Sequence, residues 1–199
     1  ILLAIGIALV IAISIHELSH GLAASWLGDD TAKRQGRLTL NPLVHLDPIG
    51  TILLFLVGFG WGKPVPVNPF NLRLGARRGM AIVGLAGPLS NLITAAIFAI
   101  ALRFIGGMAT EVLLLIVLFN IVLAVFNLIP IPPLDGFRVA LGILPRQVSL
   151  SFAKVELYGP MLLIGVLAVD SLTGLGFIGR AISPFISMFS KLFIGAPLL

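Results

Sequence analysis

The stretch from Ile1 to Leu27, ILLAIGIALVIAISIHELSHGLAASWL, decides the class of this protein. Glu17 is its one formally charged residue, and nearly all the rest is apolar or small. At about 1.5 Å of helical rise per residue, the run is long enough for a hydrocarbon core of roughly 30 Å. Gly28-Asp29-Asp30 ends it. Its opening could pass for the apolar core of a signal peptide, but it lacks a basic start and runs on through HELSH. It is therefore read as part of the fold.

Composition extends that reading to the whole chain. Of 199 residues, 58% are hydrophobic and 11% charged, with a mean hydropathy of +1.13. Soluble domains carry about a quarter charged residues, so this chain cannot cover a water-facing surface. The net charge of +5 does not point to nucleic acid, because the basic residues lie between apolar runs, where cytoplasmic loops carry them. With no cysteine, thiolate sites and disulfides are excluded.

Further along, Gln35 to Leu40 alternates as a short strand would, and Asn41-Pro42 and Asp47-Pro48 mark turns. Ile49 to Phe59 is apolar but too short to span, which suggests a re-entrant segment. If it dips and returns, Lys33, Arg34, Arg37, Lys63, Arg73, Arg77 and Arg78 share one side, which the positive-inside rule makes cytoplasmic. Spans are expected near Met80–Leu102 and Val112–Leu128, with weaker ones near Leu157–Val169 and Leu175–Phe193. The fold expected is an all-α polytopic membrane protein. It would be a bundle of about five to six transmembrane helices with a re-entrant segment and a short membrane-associated β element. A single domain over 1–199 is expected, with a catalytic core of about 1–145 and C-terminal helices in 146–199.

Inside the first run stands Ser14-Ile15-His16-Glu17-Leu18-Ser19-His20-Gly21. A helix stacks residues i and i+4 on one face, so His16 and His20 can grip one Zn²⁺. Glu17, about 100° round the helix from His16, can take the proton of a metal-activated water. Ionisable groups at the middle of a span cost about 2.5–3.5 kcal/mol each on insertion scales, and they persist where paired or metal-bound. The competing reading is a packing cluster, or a helix end where these groups reach water. A catalytic zinc takes three protein ligands and keeps one position open. Asp135, in Pro130-Ile131-Pro132-Pro133-Leu134-Asp135-Gly136, follows the span that returns to the same side. It is the candidate third ligand, and its alternative role is a cap for the helix that follows.

These residues resemble the site-2 protease family of intramembrane zinc metalloproteases, in its compact prokaryotic branch. His16-Glu17-Leu18-Ser19-His20 is one match. Asn127-Leu128-Ile129-Pro130-Ile131-Pro132-Pro133-Leu134-Asp135-Gly136 is the second, fitting the pattern Asn-x-x-Pro-x-Pro-x-Leu-Asp-Gly. Gly84 to Asn91, Gly36 to Gly50 and Phe59 to Pro69 add weaker likenesses. The resemblance covers roughly residues 10 to 140, and nothing beyond about 145 carries it. It implies one Zn²⁺ per chain held by His16, His20 and Asp135, with Glu17 as general base. It also implies membrane-embedded protein substrates, cut within or near the bilayer in a prokaryotic cell membrane. No PDZ-like insert or nucleotide-sensing module of the larger members is recognised, and oligomeric state is left open.

Asn91 and Asn127 are the amides that could contact an oxyanion or substrate. An interhelical hydrogen bond is the alternative for each. His45 could be a substrate contact, a ligand's support or a loop histidine bonded to backbone. The strand at Arg37 to Leu40 and the loop Lys63 to Asn71 could receive an extended substrate by strand addition. A divalent-metal transporter using the same His/Glu/Asp cluster is the competing function. It would be expected to show two similar halves, and no second HELSH-like segment is present.

Overall fold

The computed structural model describes residues 2–57 and 60–197. Helix α1 spans Leu2–Trp26, followed by a single turn, α2, at Thr31–Arg34. After a 3-10 turn at Pro42–Val44 comes the short α3, Pro48–Val57. A second 3-10 turn at Pro69–Asn71 leads into α4, Gly75–Ala101, and then α5, Met108–Asn127. The C-terminal part holds α6 (Asp135–Ile143), α7 (Arg146–Ala153), α8 (Gly159–Thr173) and α9 (Phe177–Ile194).

Among the described residues, five segments are long and apolar enough to cross a membrane: Leu2–Trp26, Gly75–Ala101, Ala109–Asn127, Arg146–Thr173 and Phe177–Ile194. In lipid every backbone polar group must be satisfied within the segment, which leaves helices for chains of this pattern. The expected spans are met in number, with shifted ends. α4 starts before Met80 because its first turn is tied to the bundle: Arg77 Nη1 donates to Leu144 O at 2.6 Å. The fourth span starts well before Leu157, running through α7 and a 3-10 turn into α8.

α4 is the hub, packing against α1, α5, α6 and α9. One core layer joins Ala95 and Ala99 of α4 to Val117, Ile121 and Val125 of α5 and Ile186 of α9. Its polar counterpart lies toward the other end, where glycines on α4 let neighbours approach. A Cβ on Gly84 would stand 3.2 Å from Asp135 O. Close packing through small residues is the usual device where lipid gives no hydrophobic drive.

The expected strand at Gln35 to Leu40 is not formed. The segment is turn and bend, and among the described residues the one extended pairing is an isolated antiparallel bridge, Leu46 with Gly62. The alternation misleads because Arg37 turns inward, buried, to main-chain carbonyls of Lys63 and Pro64. Between the bridge partners the chain rises as α3. Asp47 caps it, Oδ1 accepting from Gly50 N at 2.8 Å with Pro48 in the first turn. The bridge brings the two flanks of α3 together. The far end of the expected re-entrant segment, Gly58 and Phe59, lies outside the described residues.

Candidate metal centre

α1 carries His16 and His20 side by side, ring centroids 4.5 Å apart and planes at 88°. Each ring is oriented through Nδ1. His20 Nδ1 lies 2.7 Å from Val83 O, a carbonyl that can only accept, so this nitrogen carries the hydrogen. His16 Nδ1 lies 2.6 Å from Asn91 Oδ1. Asn91 spends its amide hydrogens on Ala12 O (3.0 Å) and Asn120 Oδ1 (2.7 Å), which fixes its oxygen toward His16. With Nδ1 turned to these acceptors, each imidazole in its neutral form presents Nε2 as the free lone pair that a metal binds, with the other nitrogen bonded behind.

Asp135 enters from across the bundle. The chain doubles back after α5, with turn bonds Ile131 N to Ile129 O and Leu134 N to Ile131 O. A Cβ at Gly136 would collide with the main chain of Leu128 and Ile129, so α6 starts hard against the end of α5. Phe137, 1% exposed, pins it there. Asp135 Oδ2 consequently stands 3.0 Å from His16 Nε2 and 3.1 Å from His20 Nε2. The carboxylate does not cap the helix: α6 begins at Asp135 itself and has no side-chain cap.

The donor set fits a cation. Asp135 Oδ2 is buried without a well-formed hydrogen bond, and its two close neighbours offer lone pairs. Three converging lone pairs in a buried site are costly unless a positive centre lies among them. Zinc bonds of 2.0–2.1 Å at tetrahedral angles set ligands about 3.3 Å apart, close to the spacing seen. The three ligand atoms lie within 4.8 Å of one another, and His16, His20 and Asp135 are the described group that could hold a metal.

Glu17 points past this group. Its Oε2 accepts from Val65 N at 2.9 Å, and with His16 it lines a cavity of about 420 Å³. The walls are mostly apolar: Ile13, Leu123, Phe126, Leu163 and Ile164 among them, with Trp61 and Asn127. Asn127 donates one amide hydrogen to Leu123 O at 3.0 Å, and the other has no partner among the described residues. Asn91, in contrast, does not line this cavity, and both its hydrogens are engaged behind His16. Its position is that of a support for the imidazole rather than a substrate contact. His45 also stands apart from the ligand group. It is fully buried, with Nε2 2.7 Å from Thr39 O, a loop histidine bonded to backbone.

Asn120 was missed in the sequence. It is 0% exposed, accepting from Asn91 and donating to Ile116 O at 2.8 Å. The signal was present: Asn120 is an amide in the middle of the run Val112–Leu128, where a polar group must face the bundle interior.

A span-length helix bearing His-Glu-x-x-His, met by a carboxylate from the first residue of a distant helix, defines a membrane metallopeptidase. The chain belongs to peptidase family M50, the site-2 protease type of metalloprotease that its motifs resemble. The family model matches residues 104–167, which takes in the Asn127–Gly136 motif and runs past the point where the motif resemblance ended. Among relatives, "Putative zinc metalloprotease YwhC" of Bacillus subtilis is 43% identical over 164 residues, covering 77% of this chain and 74% of that protein. "Putative zinc metalloprotease Rip2" of Mycolicibacterium smegmatis is 28% identical over 170 residues, covering 82% and 66%. Its namesake from Mycobacterium tuberculosis is 29% identical over 175 residues, covering 83% and 66%. No solved structure matches the chain. None of these relatives is named as a transporter, so the transport reading gains no support.

Proposed function

We propose that the chain is an intramembrane zinc endopeptidase that hydrolyses peptide bonds of membrane-embedded protein substrates within or near the bilayer. The observation that carries this is the convergence of His16 Nε2, His20 Nε2 and Asp135 Oδ2 beside an apolar cavity with Glu17 in its wall. Family membership and the names of the relatives support zinc as the metal.

His16, His20 and Asp135 would hold one Zn²⁺, which when bound would supply Lewis-acid chemistry toward water and the scissile carbonyl. Glu17 takes the proton of the attacking water and delivers it to the departing amide nitrogen. Asn127, at the cavity wall, would donate its second amide hydrogen to the developing oxyanion. Asn91 and Val83 O hold the two rings, so the ligands need not reorganise. The apolar walls exclude water and accept apolar side chains, as a substrate drawn from a membrane helix presents.

The site lies toward the C-terminal end of α1, His20 being about 10 Å from that end at helical rise. The loops on that side hold Lys33, Arg34, Arg37 and Lys63, which favours the cytoplasmic face of a prokaryotic membrane. On this reading α3, bracketed by the Leu46–Gly62 bridge, would dip in from that side.

The test is cleavage of single-span substrates in detergent, wild type beside Glu17→Gln, with metal measured in both. Wild type should cut and hold one zinc per chain. The variant should keep zinc and lose about 10²–10⁴ in rate. A Glu17→Gln enzyme that cuts at the wild-type rate would refute the proposal.

A further inference from the structure

Arg37 is buried, 7% exposed, yet among the described residues no carboxylate pairs with it. A buried charge without a counter-ion is costly, and hydrogen bonds to main-chain carbonyls are what offset that cost here. Nη2 donates to Lys63 O at 2.6 Å and to Pro64 O at 3.3 Å, while Nε has no partner. Its own backbone is anchored, Arg37 N donating to Ala32 O at 2.9 Å.

The segment it grips has few other ways to hold a shape. Pro64 and Pro66 lack N–H groups, so Val65 N is the lone main-chain donor of the three. That donor goes to Glu17 Oε2 at 2.9 Å. Two residues before Val65, Lys63 N donates to His45 O at 2.7 Å, next to the Leu46–Gly62 bridge. A Cβ built on Gly62 would stand 3.0 Å from His45 O and 3.8 Å from Glu17 Oε1, so this chain lies directly against the carboxylate. The Lys63–Val65 main chain is thus clamped by His45 O and the Arg37 guanidinium, and its next donor holds Glu17.

We propose that Arg37 is a positioning residue for Glu17, acting through the Pro64–Val65 peptide. The proposal rests on the reading of Glu17 as general base. His45 shares the work by fixing Lys63, and its ring holds the Thr39–His45 turn that follows Arg37. The metal ligands do not touch this clamp, so its loss should leave zinc in place and misplace the base alone. Bound substrate and metal would be held as before, and the chemical step would slow.

The experiment compares wild type, Arg37→Met and Arg37→Lys as purified full chains in detergent. Four quantities are read: zinc per chain, kcat, KM, and hydrogen exchange at the Val65 amide. Arg37→Met removes every donor at similar length. It should lower kcat about tenfold or more, the scale of a misplaced catalytic group, with KM and zinc unchanged. Its Val65 amide should exchange at least about tenfold faster, since opening a hydrogen-bonded amide is what exchange reports. Arg37→Lys keeps a cation and one reach to a carbonyl, and should recover to within about threefold of wild-type kcat. A zinc-loaded Arg37→Met enzyme with wild-type kcat and wild-type Val65 protection would overturn the proposal. So would kcat and zinc falling together while Val65 stays protected. Should Arg37→Met fail to fold, Arg37→Gln, too short to span to the Lys63 and Pro64 carbonyls, takes its place. A zinc-loaded Arg37→Gln enzyme with reduced kcat and weakened Val65 protection supports the clamp, and wild-type values of both overturn it. A wild-type chain that cuts no substrate would instead break the reading of function, while Val65 exchange would still test the clamp.

Discussion

Replacing Gly87 by alanine should cost metal affinity and little else. The added methyl would stand 2.5 Å from His20 Nε2, 2.6 Å from His20 Cε1 and 2.7 Å from His16 Cε1. Carbon contacts are comfortable at about 3.5–4.0 Å, so one or both rings must move by about 1 Å. Neither can do so freely, because Asn91 and Val83 O hold their Nδ1 atoms at 2.6 and 2.7 Å. A ring that yields loses its anchor and its aim toward Asp135 at once. Disturbing the orientation of a metal-ligating histidine costs about 10–100-fold in affinity, which is about 1.4–2.7 kcal/mol. α4 itself should not suffer, since alanine is the better helix former by about 1 kcal/mol. The assay is zinc competition against a chromophoric chelator, with the melting temperature of the zinc-free protein as a check on folding. Gly6→Ala is the control, because nothing lies within 4 Å of a Cβ there. A Gly87→Ala protein that binds zinc as tightly as wild type would show that the rings are not where the metal sits.

Asn91→Leu strands His16 Nδ1, Ala12 O and Asn120 Oδ1 together, and should weaken zinc about tenfold or more in the same competition assay. Asn120→Ala, one bond further back, should do the same by a smaller factor, and equal effects would contradict the order of the relay. Asp29 joins the end of α1 to the Asn68–Asn71 turn. Burial alone would raise its carboxyl, but donors from Thr31, Asn71 and Asn68 outweigh that and hold it below its usual 3.8. Its contribution to stability is therefore present above that value and fades as pH falls through the lower, folded one. Asp29→Asn should flatten the fall of melting temperature on acidification, and an unchanged profile would remove Asp29 from the account.

Much of the bundle could be read from the chain, because lipid makes long apolar runs into helices with few alternatives. The pair His16 and His20 was equally plain, since a helix brings i and i+4 together without tertiary help. Asp135 needed the return of a distant span to the same side, which charge patterning in the loops indicated. The loops themselves were read less well. Alternation at Gln35 to Leu40 suggested a strand, but alternation says nothing of where one long side chain goes, and Arg37 turns inward. Asn91 and Asn120 illustrate the same limit. Each was bound to face the bundle interior, yet whether it meets a ligand, a ring or another amide depends on packing between helices.

The account stands or falls on what surrounds the metal. X-ray absorption at the zinc edge of the purified chain should show two imidazole nitrogens and a carboxylate oxygen at about 2.0–2.1 Å. In Asp135→Ala the oxygen contribution should vanish or the zinc should leave. A zinc shell identical in wild type and Asp135→Ala would contradict the centre described here.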